Sequence, residues 1–331
     1  MIQPKVSILI PLYNVEKYLP KCLESVFAQT YKNVDYVFVD DCSSDNSLNV
    51  LKQSLAKNNI PDDKYTIVSH SINEGIAVSR ADCIANAKGD YVQFVDSDDW
   101  IEPTMTQEMV DATKNGEVDI VGCHYVKDYL NAETTFHKES YSCSTLENLI
   151  RSINYDISTV LWKLLIRRTL FDNFGITPHV DIGEDYIISI KLFFYADTFA
   201  VVDKYLYHYV QYNQGRVSFQ TLRSINNHIK GVKEVEAFIN EKGIRTKKVV
   251  ELLNLRKFNI KSNFLTRGLF NIAAYKETFP ESNKEWRKIG YSRKERIKFW
   301  LAEKQLYFVL VLIMKIWRKK QRYLFWYHFI M

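Results

Sequence analysis

The chain has 331 residues, 47% hydrophobic and 25% charged, which excludes a disordered protein and allows one large domain or two modest ones. Its five cysteines (Cys22, Cys42, Cys83, Cys123 and Cys143) are odd in number and scattered, with no C-x-x-C pair, so neither a disulfide framework nor a zinc site is expected. The net charge of +5 conceals an asymmetry: from residue 286 onward twelve Lys and Arg face only Glu295 and Glu303, and the rest of the chain is net acidic.

The first residues lead directly into an apolar run without a long apolar leader, so a reducing cytosol is the expected compartment. Residues 6–10 predict a strand closed by Pro11. Asn14 is placed to cap a helix in which Tyr18, Cys22 and Val26, and likewise Leu19, Leu23 and Phe27, recur every four residues, with Glu16 in its first turn. Residues 34–39 predict a second strand, 40–45 a polar turn and 47–56 a helix. A strand at 65–68, a helix at 77–87 and a strand at 91–95 complete the alternation. Such a β-α-β order implies a mostly parallel sheet with helices on both faces. Further on, 118–123 reads as a strand, 131–144 as a polar loop and 187–195 as an apolar helix. From about residue 216 the pattern is helical, with charged faces.

Open α/β sheets bind ligands beyond the carboxyl ends of their strands. The polar residues gather there: Tyr13 and Asn14, then Asp40 and Asp41, then Asp96 to Asp99. The carboxylates Asp96, Asp98 and Asp99 repel one another unless a cation or a hydrogen-bond network sits among them. Oxygen ligands at a strand end suit Mg2+ or Mn2+ holding a phosphorylated substrate. Plain alternatives stand beside each reading. The acidic string reads equally as a solvated turn, Asn14 as a helix cap, Asp45 as a turn former, and Glu184 with Asp185 as caps of the helix that follows. The histidines lack H-x-x-x-H spacing, and none is assigned to a metal.

Taken together, several strings resemble a known family. They are Val6-Ser7-Ile8-Leu9-Ile10-Pro11-Leu12-Tyr13-Asn14, Ser25 to Tyr31, Val39-Asp40-Asp41-Cys42-Ser43-Ser44-Asp45, and Asn73-Glu74-Gly75 with Arg80. Gly89-Asp90-Tyr91 through Asp99, Trp162 with Arg168, and Gly183-Glu184-Asp185 continue the match over about two-thirds of the chain. This pattern resembles the inverting glycosyltransferases of family 2, of GT-A fold: α/β, Rossmann-like, with a helical C-terminal extension. The resemblance implies a GT-A domain over 1–215, divided into a nucleotide-binding half (1–100) and an acceptor half (101–215), followed by the extension at 216–331. It implies a nucleotide-sugar donor, favouring UDP, held by Pro11, Tyr13, Asn14, Asp41, Arg80, Asp96 and Ser97. Asp98, with Asp96, would ligate Mn2+ or Mg2+, and Asp185 would be the catalytic base. Asp99 stands between support of the metal site and a helix cap, and Trp162 between packing and an acceptor wall. Two departures occur. Ala81 and Cys83 stand where relatives carry Asn and Gly, and Val210 follows Tyr207-His208-Tyr209 where relatives carry Arg, leaving Arg216 and Ser218 as substitutes for a diphosphate contact.

The basic tail interleaves Phe299, Trp300, the apolar run 306–314 and a second aromatic run at 323–329 with Lys and Arg. That run is far below the ~20 residues needed to span a bilayer. An interfacial helix drawn to anionic lipid at the inner face of the cell membrane is expected, where a glycan or polyprenyl-linked acceptor would lie. A helical cap on the core is the alternative. No nucleic-acid module precedes the tail, so nucleic acid is not an expected partner. The oligomeric state is left open, a homo-oligomer included. Within enzymes the other reading is a sugar-1-phosphate nucleotidyltransferase; outside them, a catalytically silent nucleotide-sugar binding module.

Overall fold

The computed structural model describes residues 3–179, 183–213, 221–266 and 271–317. The chain forms two compact units, Met1–Val217 and Ser218–Met331. The first unit runs β1 (Val6–Leu12), α1 (Leu19–Phe27), β2 (Val34–Asp40), α2 (Ser47–Lys57), β3 (Tyr65–Ser69), α3 (Ile76–Ala85) and β4 (Tyr91–Phe94). It continues with β5 (Trp100–Ile101), α4 (Met105–Asp111), β6 (Ile120–Asp128), β7 (Thr135–His137), α5 (Thr145–Ile153) and β8 (Leu164–Arg167). α6 (Thr169–Phe174), α7 (Glu184–Tyr195) and β9 (Phe199–Val210) complete it.

One sheet has the order β3-β2-β1-β4-β8-β6-β9-β5, with β7 added on β6. β3, β2, β1 and β4 are parallel. β8 joins antiparallel to both β4 and β6, and β9 returns parallel to β6. β1 and β2 are buried along their full length, as expected of interior parallel strands with continuous apolar runs.

Three local readings of the sequence are corrected. β1 does not close at Pro11 but continues to Leu12, because pairing with β4 stops at Leu9 and the missing proline N–H falls where β1 has β2 as its only neighbour. The stretch 131–144 is not all loop, since β7 lies within it, paired to β6. The twelve residues of β9 carried no strand reading; Asp203 and Lys204 interrupt their apolar run, and the β6–β9 register shifts at His124.

In the second unit lie α8 (Leu222–Glu241), α9 (Lys247–Thr266), α10 (Ile272–Glu277) and α11 (Arg293–Glu303), and residues 307–317 are also helical. Their starts are set by short polar side chains. Thr221 accepts from Ser224 N, Asn271 from Ala274 N, and Ser292 forms a capping box with Glu295. Lys257 of α9 bridges Glu236 and Glu281 at 2.8 Å each, tying α8 and α9 to the turn that follows α10. No helix among the described residues is long and apolar enough to cross a membrane. Arg216, Ser218 and the basic and aromatic residues from 318 onward lie outside the described residues.

The start of β1 is locked from below. Ser7 Oγ donates to Asp35 at 2.5 Å and accepts from the backbone of Lys88 and Gly89 at 3.0 and 2.8 Å. A Cβ on Gly89 would lie 2.5 Å from Ser7 N and 2.8 Å from Lys5 O, both backbone atoms that cannot swing away. Gly89→Ala is therefore expected to cost about 1–3 kcal/mol by overpacking. Urea unfolding would read this as a lower midpoint at unchanged slope, and an unchanged midpoint would contradict the close approach.

Candidate active site

The carboxyl ends of the parallel strands carry the candidate residues, and hydrogen bonds join their loops. Asn14, at φ 50°, accepts from Ser44 N at 2.8 Å and Asp45 N at 3.3 Å, while its own N–H donates to Ser43 Oγ at 3.1 Å. Asp45 accepts from Glu16 N at 3.0 Å, and Glu16 returns the contact by accepting from Asn46 N at 2.9 Å. The cap reading of Asn14 is thereby corrected: α1 begins at Leu19 with Pro20 in its first turn, and Asn14 and Glu16 instead fasten the β1 loop to the β2 loop. Pro11 is buried within β1, whereas Tyr13 stands 48% exposed at this rim.

Asp41 is buried directly after β2. Its Oδ1 accepts from Glu74 N at 2.7 Å and faces His70 Nδ1 at 2.8 Å; its Oδ2 accepts from Gly75 N at 2.8 Å. Gly75 holds φ 96° at the N-cap of α3, a conformation costly for a residue with a Cβ, and this turns both N–H groups onto Asp41. A carboxylate offers about four acceptor positions, so one on Oδ2 has no partner among the described residues. His70 Nε2 lies 2.9 Å from Asp82 of α3. Both ring nitrogens of His70 face carboxylate oxygens, which suits the imidazolium, a donor at both positions. Burial opposes that charge, but the bonds to Asp41 and Asp82 outweigh it and raise the pKa. The sequence reading missed His70, although its place at the end of β3 was a usable signal.

Two residues before Asp82, Arg80 turns inward and is almost fully buried. Its Nη1 binds Glu184 and also Asp185 Oδ1 at 2.6 Å, and its Nη2 binds Asp96 at 2.9 Å. One guanidinium thus gathers carboxylates from the turn after β4 and from the first turn of α7. Burial pushes the Glu184 carboxyl up, and Asp185 adds to it. Burial also raises Asp185, with Arg80 opposing and Asp96 adding. The helix-cap reading of Glu184 and Asp185 is corrected, since Gly183 is the N-cap and both side chains turn to Arg80. Among the described residues Asp185 is bound only through Oδ1, and its side chain is 20% exposed. Arg80, implied by the resemblance as a donor contact, spends both Nη atoms on carboxylates instead.

Asp99 is buried and caps no helix. It accepts from Tyr207 OH and Val210 N, both at 2.8 Å, which fastens β9 to the acidic turn. Burial, with the charges of Asp98 and Asp96, holds its carboxyl well above the usual range. Ser97 is buried beside it, and Asp98 accepts from Asn213 Nδ2 at 2.8 Å. Trp162 is a packing residue: its ring stacks on Tyr207 at 4.1 Å and meets Tyr125 edge-on at 5.0 Å.

Among the described residues no group of three His, Cys, Asp or Glu is arranged to hold a metal. Asp96 and Asp98, two positions apart beside an excess of carboxylates over Arg80, still suit an ion that takes one or two protein oxygens and completes its shell with phosphates and water.

The imidazolium assignment has a measurable sign. A raised folded-state pKa means that His70 stabilises fully below its ordinary pKa, and that this contribution is lost as pH rises through the raised value. The stability gap between wild type and His70→Gln should therefore shrink as pH increases through that window. Thermal melts over the range would show it, and a gap that widened with pH would refute the charge state.

Comparison with known proteins places the chain in a family. The profile of glycosyl transferase family 2 matches residues 7–179. EpsH of Bacillus subtilis strain 168 is 30% identical over 217 residues, covering 63% of this chain and 61% of EpsH. A poly(ribitol-phosphate) beta-glucosyltransferase of Bacillus spizizenii is 28% identical over 220 residues, covering 64% of this chain and 33% of that protein. The chain thus spans less than two-thirds of each of these relatives. The crystal structure of S. aureus TarS 1–349 with UDP-GlcNAc superposes at a TM-score of 0.67, covering 91% of this chain and 87% of that one at 20% identity, a likeness of fold. The family match takes in β1 to α6, more than half of the 331 residues. The chain belongs to glycosyl transferase family 2 and has its GT-A fold.

Proposed function

We propose that the chain transfers a sugar from a nucleotide-sugar donor, a UDP-sugar, to an acceptor hydroxyl with inversion, in the assembly of a bacterial surface polysaccharide. The observation that carries the reading is the pinning of Asp185 beside Asp96 by Arg80, with one carboxylate oxygen left free. Inversion needs a single displacement and hence a single base. As the acceptor oxygen bonds to the anomeric carbon, the bond from that carbon to the diphosphate oxygen breaks, and the hydroxyl proton passes to Asp185 Oδ2. A carboxylate of raised pKa suits this role, because the hydroxyl acidifies only as the new bond forms.

Donor binding is assigned to the rim of the parallel strands. Tyr13 and Pro11 would flank the base, the remaining acceptor position of Asp41 would take the uracil N–H, and Ser97 and Asp96 would face the ribose. Asn14 supports this slot by joining the two loops. Asp98, with the second oxygen of Asp96, would hold Mn2+ or Mg2+, which when bound offsets charge on the departing diphosphate. Residues 1–100 would form the nucleotide half, 101–215 the acceptor half, and 216–331 an extension that brings the enzyme to a membrane carrying a lipid-linked glycan acceptor. The name of the poly(ribitol-phosphate) relative supports a surface polymer as acceptor class. The nucleotidyltransferase reading needs a glycine-rich cationic loop after β1; Pro11-Leu12-Tyr13-Asn14 is short, lacks both features and is bound to Ser43 and Ser44.

Release of UDP from a panel of UDP-sugars with Mn2+ and acceptor tests the reading. Asp185→Asn is expected to lower kcat by about 10^2–10^4 while donor KM is unchanged. Asp98→Ala is expected to raise the metal concentration needed for half-maximal rate. Full turnover by Asp185→Asn would remove the base assignment, and donor binding without turnover under any condition would favour a silent binding module.

A further inference from the structure

The second unit holds a cationic, aromatic groove unrelated to the acidic site. Trp286, Arg293, Arg296, Ile297 and Trp300 line a cavity of about 330 Å³. Four of these residues share one face of α11 at helical spacing, positions 293, 296, 297 and 300. The charges are unbalanced. Glu303, the nearby carboxylate, is taken by Trp286 Nε1 at 2.9 Å and Arg287 at 2.7 Å. Among the described residues neither Arg293 nor Arg296 has a carboxylate partner; Arg296 lies over the Trp286 ring at 5.5 Å. Trp300 stands 45% exposed at the rim.

The helical stretch 307–317 adds an apolar component. Leu310 and Met314 face inward, whereas Phe308 (79%), Leu312 (45%) and Ile316 (54%) are exposed at every fourth position. Lys298 of α11 lies over Trp317 at 6.0 Å, so this stretch ends against α11. Lys315 is exposed beside Ile316, and the sequence continues with Arg318, Lys319, Lys320 and Arg322. Unneutralised guanidinium groups, an indole at the rim and exposed aliphatic side chains are together what an anionic bilayer surface requires: phosphate partners, an interfacial aromatic, and acyl chains to cover apolar area.

We infer that the α11 groove is a headgroup site for anionic phospholipid, Arg293 and Arg296 binding the phosphate while Trp300, Phe308, Leu312 and Ile316 enter the interface. This rests on the reading of a membrane-borne acceptor and names the surface that would reach it. The bilayer is favoured over a soluble polyanion, which would use the arginines but leave the apolar residues uncovered.

Cosedimentation of the full chain with vesicles of phosphatidylcholine alone, or mixed with phosphatidylglycerol, tests the inference. Wild type is expected to sediment only with the anionic vesicles, and less so at high salt. Arg293→Glu with Arg296→Glu should weaken binding at least about tenfold, taking ~1 kcal/mol per basic residue at the surface. Trp300→Ser should weaken it at both salt concentrations. Neither variant should alter UDP affinity or UDP release with a soluble acceptor, so failure of the groove and failure of the transferase reading are separable. Charge-reversed protein that sediments like wild type would overturn the inference. So would equal binding to neutral vesicles, binding of wild type to inorganic polyphosphate but not to vesicles, or a dimer in solution that charge reversal dissociates.

Discussion

The site depends on one guanidinium shared among three carboxylates. Arg80 alone draws Asp96, Glu184 and Asp185 together from segments that are far apart in the chain, and it does so where water is nearly excluded. Buried like charges are held together only at a steep electrostatic cost, and a planar fork with several donors is the side chain that can meet it. Lysine, a single point charge, could not satisfy the same oxygens at the same angles. The arrangement leaves the cluster net negative, which suits the cation and the developing oxocarbenium ion of the proposed reaction.

The helix that carries Arg80 also carries Asp82, and through His70 it reaches Asp41. α3 therefore sets both ends of the proposed donor site: the base end through an imidazolium bridge and the sugar end through the guanidinium. The acidic turn after β4 sits where the parallel strands meet the antiparallel ones, and Asp99 uses both oxygens to bind β9 there. Of the three aspartates, Asp99 fastens β9, Asp96 pairs with Arg80 and Asp98 accepts from Asn213.

The parallel half was legible because its strands are short apolar runs and its helices repeat every four residues, patterns that survive without knowledge of partners. The acidic residues at strand ends were legible for the same reason. What the sequence hid was pairing. Nothing local shows that Asp99 turns to Tyr207, that Arg80 points at α7, or that Asn14 reaches Ser44 rather than capping a helix, because each depends on a contact across 30 or more positions. β9 was hidden by a different cause: a charged interruption and a bulge break the alternation on which strand reading relies.

The shared guanidinium also bears on how such a protein can diversify. A substitution at Asp96, Glu184 or Asp185 changes the electrostatic environment of the other two, so the three positions are energetically coupled. The chain around β7 is tied differently, by Phe136 against Tyr205 and His137 stacked on Tyr125, contacts that carry no shared charge. A change at that periphery would then leave the three coupled carboxylates undisturbed.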